Sequence, residues 1–179
     1  MLDSRKIHLL DKYLQHREVH SVADIGSGDC RYIKYITTKE YGRELKKAIV
    51  IEKDTTNLEK CRSNLPSLDL ILVNSDIENL SNIDALKGEK ADIVLLFDIL
   101  EHLTCPKKAV ELAKSLNPEL IFISTIGEPL DNIRDAIERD PEHVLMFNQT
   151  LLFRFLRRLE LKPIEISQDH EILFAVARP

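Results

Sequence analysis

The chain has 179 residues, enough for one domain with a full hydrophobic core. A hydrophobic fraction of 44%, a charged fraction of 31% and a net charge of -5 are ordinary for a globular protein. The acidic balance argues against a protein that grips a nucleic-acid backbone over a large area; a local basic stripe still leaves RNA as a partner.

The opening segment MLDSRKIHLLDKYLQH is charged throughout and has no apolar h-region, so it is not read as a signal peptide. Ile7, Leu10, Tyr13 and Leu14 recur at helical spacing and predict an amphipathic helix over 3–16. It leads into a single domain spanning 1–179, with 1–18 as the lead segment. Residues 21–25 predict the first strand and 30–41 a helix with Ile33 and Ile36 on one face. Residues 48–51 predict the second strand, 55–64 a helix ending before Pro66, and 68–73 the third strand. A short helix is expected over 79–87, stopping at Gly88, then a strongly apolar strand over 92–97. A helix over 102–115 and a fifth strand over 119–124 follow. Residues 129–140 are polar and suit a surface helix or lid. An apolar helix over 148–158 has Leu151, Leu152, Phe155 and Leu159 as its inner face. Strands at 163–167 and 172–177, joined by Gln168-Asp169-His170, read as a hairpin at the sheet edge.

Short, apolar, β-branched strands alternating with helices specify an α/β fold. The expected architecture is a Rossmann-like sheet of about seven strands, mostly parallel, with an antiparallel C-terminal hairpin and helices on both faces. No apolar run is long enough to span a bilayer. Cys30, Cys61 and Cys105 are odd in number, widely spaced and form no CxxC, which suits reduced thiols in a cytoplasmic protein. The sequence is silent on oligomeric state.

Ligands of open α/β sheets sit beyond the carboxyl ends of the strands. The first strand runs into Gly26-Ser27-Gly28, a turn that lets backbone approach a ligand, with helix N–H groups expected to face the same spot. Glu52 ends the second strand, where a carboxylate can accept both hydroxyls of a ribose. Asp76-Ile77 follows the third strand and offers an acceptor and an apolar face for adenine. Asp98 follows the fourth. The plainer alternative is that the glycines only make a turn and the acids only cap helices. Four such features in register after successive strands favour a ligand site.

These segments resemble the class I S-adenosylmethionine-dependent methyltransferases, near the small methyltransferase-domain enzymes. ADIGSGDCRYI resembles the family's first motif, VIEKD the second and NSDIENL the third. ADIVLLFDILEHL resembles the fourth motif and its following helix, LIFISTIGE the fifth-strand segment, and EHVLMFNQTLLFRFLRRLELKPIEI the late helix and penultimate strand. The resemblance covers nearly the whole chain. It implies S-adenosylmethionine as cofactor, with contacts from Asp24, Gly26, Ser27, Gly28, Glu52, Lys53, Asp76, Ile77 and Asp98. The chain departs from the family at Cys30, which takes the third glycine position of the first motif. A dinucleotide fingerprint starting at Gly26 needs glycine at position 31, where the chain has Arg31, so a nicotinamide cofactor is disfavoured.

Asp98, Glu101 and His102 have D-x-x-E-H spacing, and His143 comes later. Together they could hold a divalent ion with open positions for an acceptor. Small-RNA 2′-O-methyltransferases and ubiquinone-pathway O-methyltransferases carry an E-x-x-E-H motif plus a later His; the resemblance implies a metal that acidifies the acceptor hydroxyl. The alternative is a capping box, with Asp98 at the N-cap and Glu101 at N3 of the helix, and it is preferred over the metal. His102, His143 and Asp98 are also the candidate general bases.

Arg154, Arg157, Arg158 and Lys162 read as a charged outer face, and His8, His16, His20 and His170 as surface residues. The expected function is methyl transfer to an acceptor, a small molecule or protein being favoured, with a hydroxyl as the candidate accepting group. The alternatives are a cofactor-binding, catalytically idle partner subunit and a nucleotide-dependent oxidoreductase.

Overall fold

In the computed structural model, which describes residues 2–79, 83–127 and 143–179, each central strand divides its side chains between two apolar clusters. In β1 (Ser21–Ile25) and β2 (Lys47–Glu52), Ala23, Ile25, Ile49 and Ile51 enter one cluster, while Val22, Ala48 and Val50 enter the other. The same alternation continues in β4 (Ile93–Phe97) and β5 (Leu120–Ile126). Side chains of a strand point alternately to opposite faces, so a run that is apolar at every position must be covered on both.

The first cluster is covered by α4 (Pro106–Ser115) and α5 (Gln149–Arg158), the second by α1 (Ser4–Leu14), α2 (Arg31–Thr37) and α3 (Thr55–Asn64). Side-chain caps set several of these starts. Asp3 accepts from the Arg5 N–H, Asp54 from the Thr56 N–H and Asn148 from the Leu151 N–H.

With β3 (Asp69–Asn74), β6 (Lys162–Asp169) and β7 (Ile172–Arg178), the sheet has seven strands in the order β3-β2-β1-β4-β5-β7-β6. β7 runs antiparallel to both β5 and β6, and the other pairings are parallel. The expected mixed sheet with a C-terminal edge hairpin is therefore the observed one. Chain order reverses between β1 and β4, which opens a crevice beyond their carboxyl ends.

Several local expectations give way. The helix expected over 102–115 starts only at Pro106. Proline disfavours helical backbone at the residue before it, and Cys105 accordingly has φ -130 and ψ 74. Residues Leu100–His102 form a separate 3₁₀ turn. Asp98, with φ 51, lies before that turn and caps no α-helix, so the capping box is not formed. The helix expected over 79–87 is represented by 3₁₀ turns at Ile77–Asn79 and Ile83–Leu86, with 80–82 outside the described residues. On α5 Leu152 and Leu156 are fully buried and Phe155 and Leu159 pack half-buried on the same cluster; of the four expected inner residues only Leu151 is exposed. The surface helix or lid expected over 129–140 lies outside the described residues.

Cys30 and Cys61 form a disulfide rather than two reduced thiols; Cys105 is free. Although 31 positions apart in sequence, they meet because the start of α2 packs beside α3, with Cα atoms 5.1 Å apart. Among the described residues no helix is long and apolar enough to cross a membrane.

Candidate functional site

The crevice at the switch between β1 and β4 is built around the glycine turn. Gly26 has φ 76, and a Cβ there would lie 2.7 Å from the end of the Ile99 side chain. Gly28 has φ 53, with open space where its Cβ would be. Both conformations favour glycine, and together they leave backbone bare on the crevice floor. Cys30 also adopts the left-handed region, φ 59, at the third glycine position of the sequence pattern. Its side chain is buried, with the sulfur bonded to Cys61. The helix behind the turn, α2, has only seven residues.

Glu52 is buried at the tip of β2, and its carboxylate is anchored at both oxygens. Oε2 accepts from the Gly28 N–H at 2.9 Å and Oε1 from the Asp54 N–H at 2.9 Å. Each carboxylate oxygen carries a further lone pair, so ribose hydroxyls can still donate to it. Glu52, Lys53, Asp76, Ile77, Ile99 and His102 line a cavity of about 370 Å³ that reaches Gly26. Ile77 is buried, and exposed Asp76 accepts from the Glu78 N–H, which fixes its carboxylate at the cavity wall. A second cavity of about 370 Å³ begins on the other side of Gly26 and is walled by Asp24, Ser27, Gly28, Asp98 and Lys6. The first is flanked by a ribose-type acid and an apolar wall, the second by charges of both signs.

Asp24 stands out in the second cavity. Its Oδ2 is buried without a hydrogen-bond partner among the described residues. Burial first, then the neighbouring charges of Glu52 and Asp29, push its carboxyl up to about 7. A buried carboxylate without a partner is costly, and a cationic ligand group would supply the missing interaction.

Asp98 is exposed at the tip of β4. Its Oδ1 accepts from the Ser124 hydroxyl at 2.8 Å, and its Oδ2 is ion-paired with Lys6 of α1. Glu101 points the other way, into the core. It is buried, accepts from the Thr125 hydroxyl at 2.9 Å, and burial raises its pKa. Its backbone carbonyl accepts from the Val144 and Leu145 N–H groups, which brings His143 against His102, ring centroids 4.8 Å apart. Glu101, His102 and His143 offer ligand atoms within 4.8 Å of one another. Asp98 does not join this group, so the structure brings together three of the four residues proposed from sequence as metal ligands.

Sequence reasoning missed Ile99, Ser75 and Lys6, which also line the crevice. Lys6 was detectable in principle, because it stands three and four positions before Leu9 and Leu10, on the apolar stripe of α1. Arg154, Arg157, Arg158 and Lys162 are exposed, as are His8, His16, His20 and His170.

The sequence matches the family described as methyltransferase domain over residues 23–123. This chain belongs to that family and is a class I S-adenosylmethionine-dependent methyltransferase. No curated relative matches it. A solved structure of a candidate methyltransferase from Bacillus halodurans C-125 is similar at a TM-score of 0.75 and 13% identity. That match covers 98% of this chain and 99% of the other. A Haloferax volcanii complex between the Trm112 methyltransferase activator and a candidate methyltransferase gives 0.71 and 12%, covering 98% and 94%. The plantazolicin methyltransferase BamL, solved with a substrate analogue and S-adenosylhomocysteine (SAH), gives 0.71 and 13%, covering 97% and 82%. At these identities the likeness is one of fold.

Proposed function

We propose that the chain methylates a small-molecule or protein acceptor, with S-adenosylmethionine held in the crevice between β1 and β4. The observation that carries this reading is the pair of cavities meeting at Gly26, one flanked by Glu52 and the other by Asp24. When bound, the cofactor supplies an electrophilic methyl group on sulfur. The protein's contribution is orientation. Glu52 would hold the ribose, Asp76 and Ile77 the adenine, and Asp24 with the Gly26–Gly28 backbone the amino-acid end. Lys53 flanks the ribose acid, and Ser27 and Asp98 border the amino-acid end.

His102 reaches the adenosine-side cavity and is the first choice for a base when the acceptor is a hydroxyl. His143, stacked against it, is the second, and Asp98, committed to Lys6 and Ser124, the third. The net charge of -5 favours a small molecule or protein over a large nucleic acid.

A thermal-shift titration tests the cofactor assignment. SAH should raise the melting temperature and NAD should not. The reverse pattern sinks the reading. Acceptor screening by mass spectrometry of methylated products then follows.

One observation favours a metal-assisted variant: the Glu101, His102 and His143 ligand atoms within 4.8 Å. Such a set, bound on one side of an ion, leaves positions for water and an acceptor hydroxyl. Calorimetric titration with manganese should then show binding that Glu101→Ala and His102→Ala abolish. Activity indifferent to chelator removes this variant.

The alternative of a catalytically idle partner subunit draws on the fold it shares with the protein in the Trm112 activator complex. Methylation by the purified chain alone excludes it. The Cys30–Cys61 disulfide removes the reduced-thiol argument for a cytoplasmic location.

A further inference from the structure

Lys6 is the cation of this site that neither the motifs nor the family resemblance assigns. It projects from α1 into the amino-acid-side cavity, and its side chain is only 4% exposed. A lysine so deeply buried needs a stated partner. Among the described residues its hydrogen-bond partner is Asp98, whose side chain is 47% exposed. The ammonium also lies 5.6 Å from the Tyr32 ring centroid and 5.7 Å from that of Phe97. An ammonium has three donors, and a single carboxylate oxygen engages one of them.

The other cation lining this cavity, Arg31, is already committed. Its Nε donates to Asp29 Oδ1 at 2.7 Å, and its terminal nitrogen to Asp29 Oδ2 at 3.1 Å. Lys6 is thus the positive group best placed to take a new anion, in surroundings where desolvation strengthens the contact. The same cavity carries the complement. Asp24 Oδ2 is buried and unpartnered, and it lines the same cavity. One buried cation and one orphaned buried carboxylate across a single cavity match the carboxylate and ammonium of an α-amino acid.

We propose that Lys6 binds the α-carboxylate of the cofactor's amino-acid end, making the site selective for carboxylate-bearing adenosyl ligands. This rests on the reading of the crevice as the S-adenosylmethionine site. α1 then contributes a wall of that site through Lys6, and Asp98 holds the ammonium in place when no carboxylate is present.

The experiment is calorimetric titration of the wild type and Lys6→Met with two ligands. One is SAH; the other is its decarboxylated analogue, which keeps the adenosine, the sulfur and the amine. The wild type should prefer SAH by about ten- to a hundredfold, the range for a hydrogen bond to a charged group. Lys6→Met should erase that preference by weakening SAH alone. Equal weakening of both ligands, or a preference retained in the variant, overturns the proposal. Equal binding of the two ligands by the wild type also overturns it, and this arm needs no variant to fold. A wild type that binds neither ligand overturns the cofactor-site reading together with the proposal, and so is distinct from the other failures.

Discussion

The N–H of Gly28 donates to Oε2 of Glu52 at 2.9 Å, so the glycine turn after β1 and the acid at the tip of β2 form one unit. The turn does not merely sit beside Glu52; it orients the carboxylate. Glu52→Ala removes a carboxylate that two backbone N–H groups, those of Gly28 and Asp54, use as acceptor. It should weaken SAH by at least about tenfold, as expected for losing hydrogen bonds to a charged group. Calorimetry reads this directly. Unchanged affinity would remove Glu52 from the ribose role.

Asp24 makes both stability and binding depend on pH. Its pKa is raised by burial and by Glu52 and Asp29, with Lys6 the neighbouring charge acting the other way. Between the ordinary value of 3.8 and about 7, the folded chain holds a proton that the unfolded chain has released. Stability from this group therefore falls as pH rises through that window and levels off above it. Affinity for SAH should move oppositely, rising from about pH 6 to about pH 8 as Asp24 ionises to face the ligand ammonium. Asp24→Asn should flatten both profiles. An Asn variant with the wild-type pH profile would assign the titration to another group.

The disulfide predicts a thiol count and a stability. Under denaturing, non-reducing conditions only Cys105 should alkylate, and all 3 cysteines after reduction. Closing a span of 31 positions is worth about 3–4 kcal/mol by chain entropy. Reductant should therefore lower the melting temperature clearly. Complete labelling without reductant would show that the bond does not form.

Leu156 and Leu151 should part company on truncation. Leu156 is fully buried beneath α5, and Leu156→Ala should cost about 2–5 kcal/mol in urea unfolding. Leu151 is 47% exposed, and Leu151→Ala should change stability by less than about 1 kcal/mol. Similar losses at both sites would mean that α5 packs on a different face.

The first five strands were legible because each is apolar on both faces, a pattern that only a doubly covered sheet buries. Their tips, and hence Gly26, Glu52, Asp76 and Asp98, followed from sheet topology alone. What escaped was decided by tertiary contact or by a single backbone constraint. Pro106 moved the start of α4 and dissolved the Asp98–Glu101 cap, leaving Glu101 to turn inward to Thr125. Leu151 and Leu156 were misjudged because a helix with leucine, phenylalanine and arginine interleaved supports more than one inner face. Lys6 reads as solvent-facing by residue type, and its partners Asp98, Tyr32 and Phe97 lie far along the chain, so its place on the α1 stripe was the one local sign of burial. Cys30 and Cys61 could not be paired from their spacing, since the packing of α2 against α3 is what brings them together.

The Cys30–Cys61 bond has one more consequence. It closes a covalent ring that contains β2 and Glu52, and the exposed Arg43 and Lys46 lie on the ring's outer arc. A trypsin cut at either residue opens the chain without releasing a fragment. The nicked protein would run at full mass until a reductant is added, with Glu52 still tethered to the glycine turn.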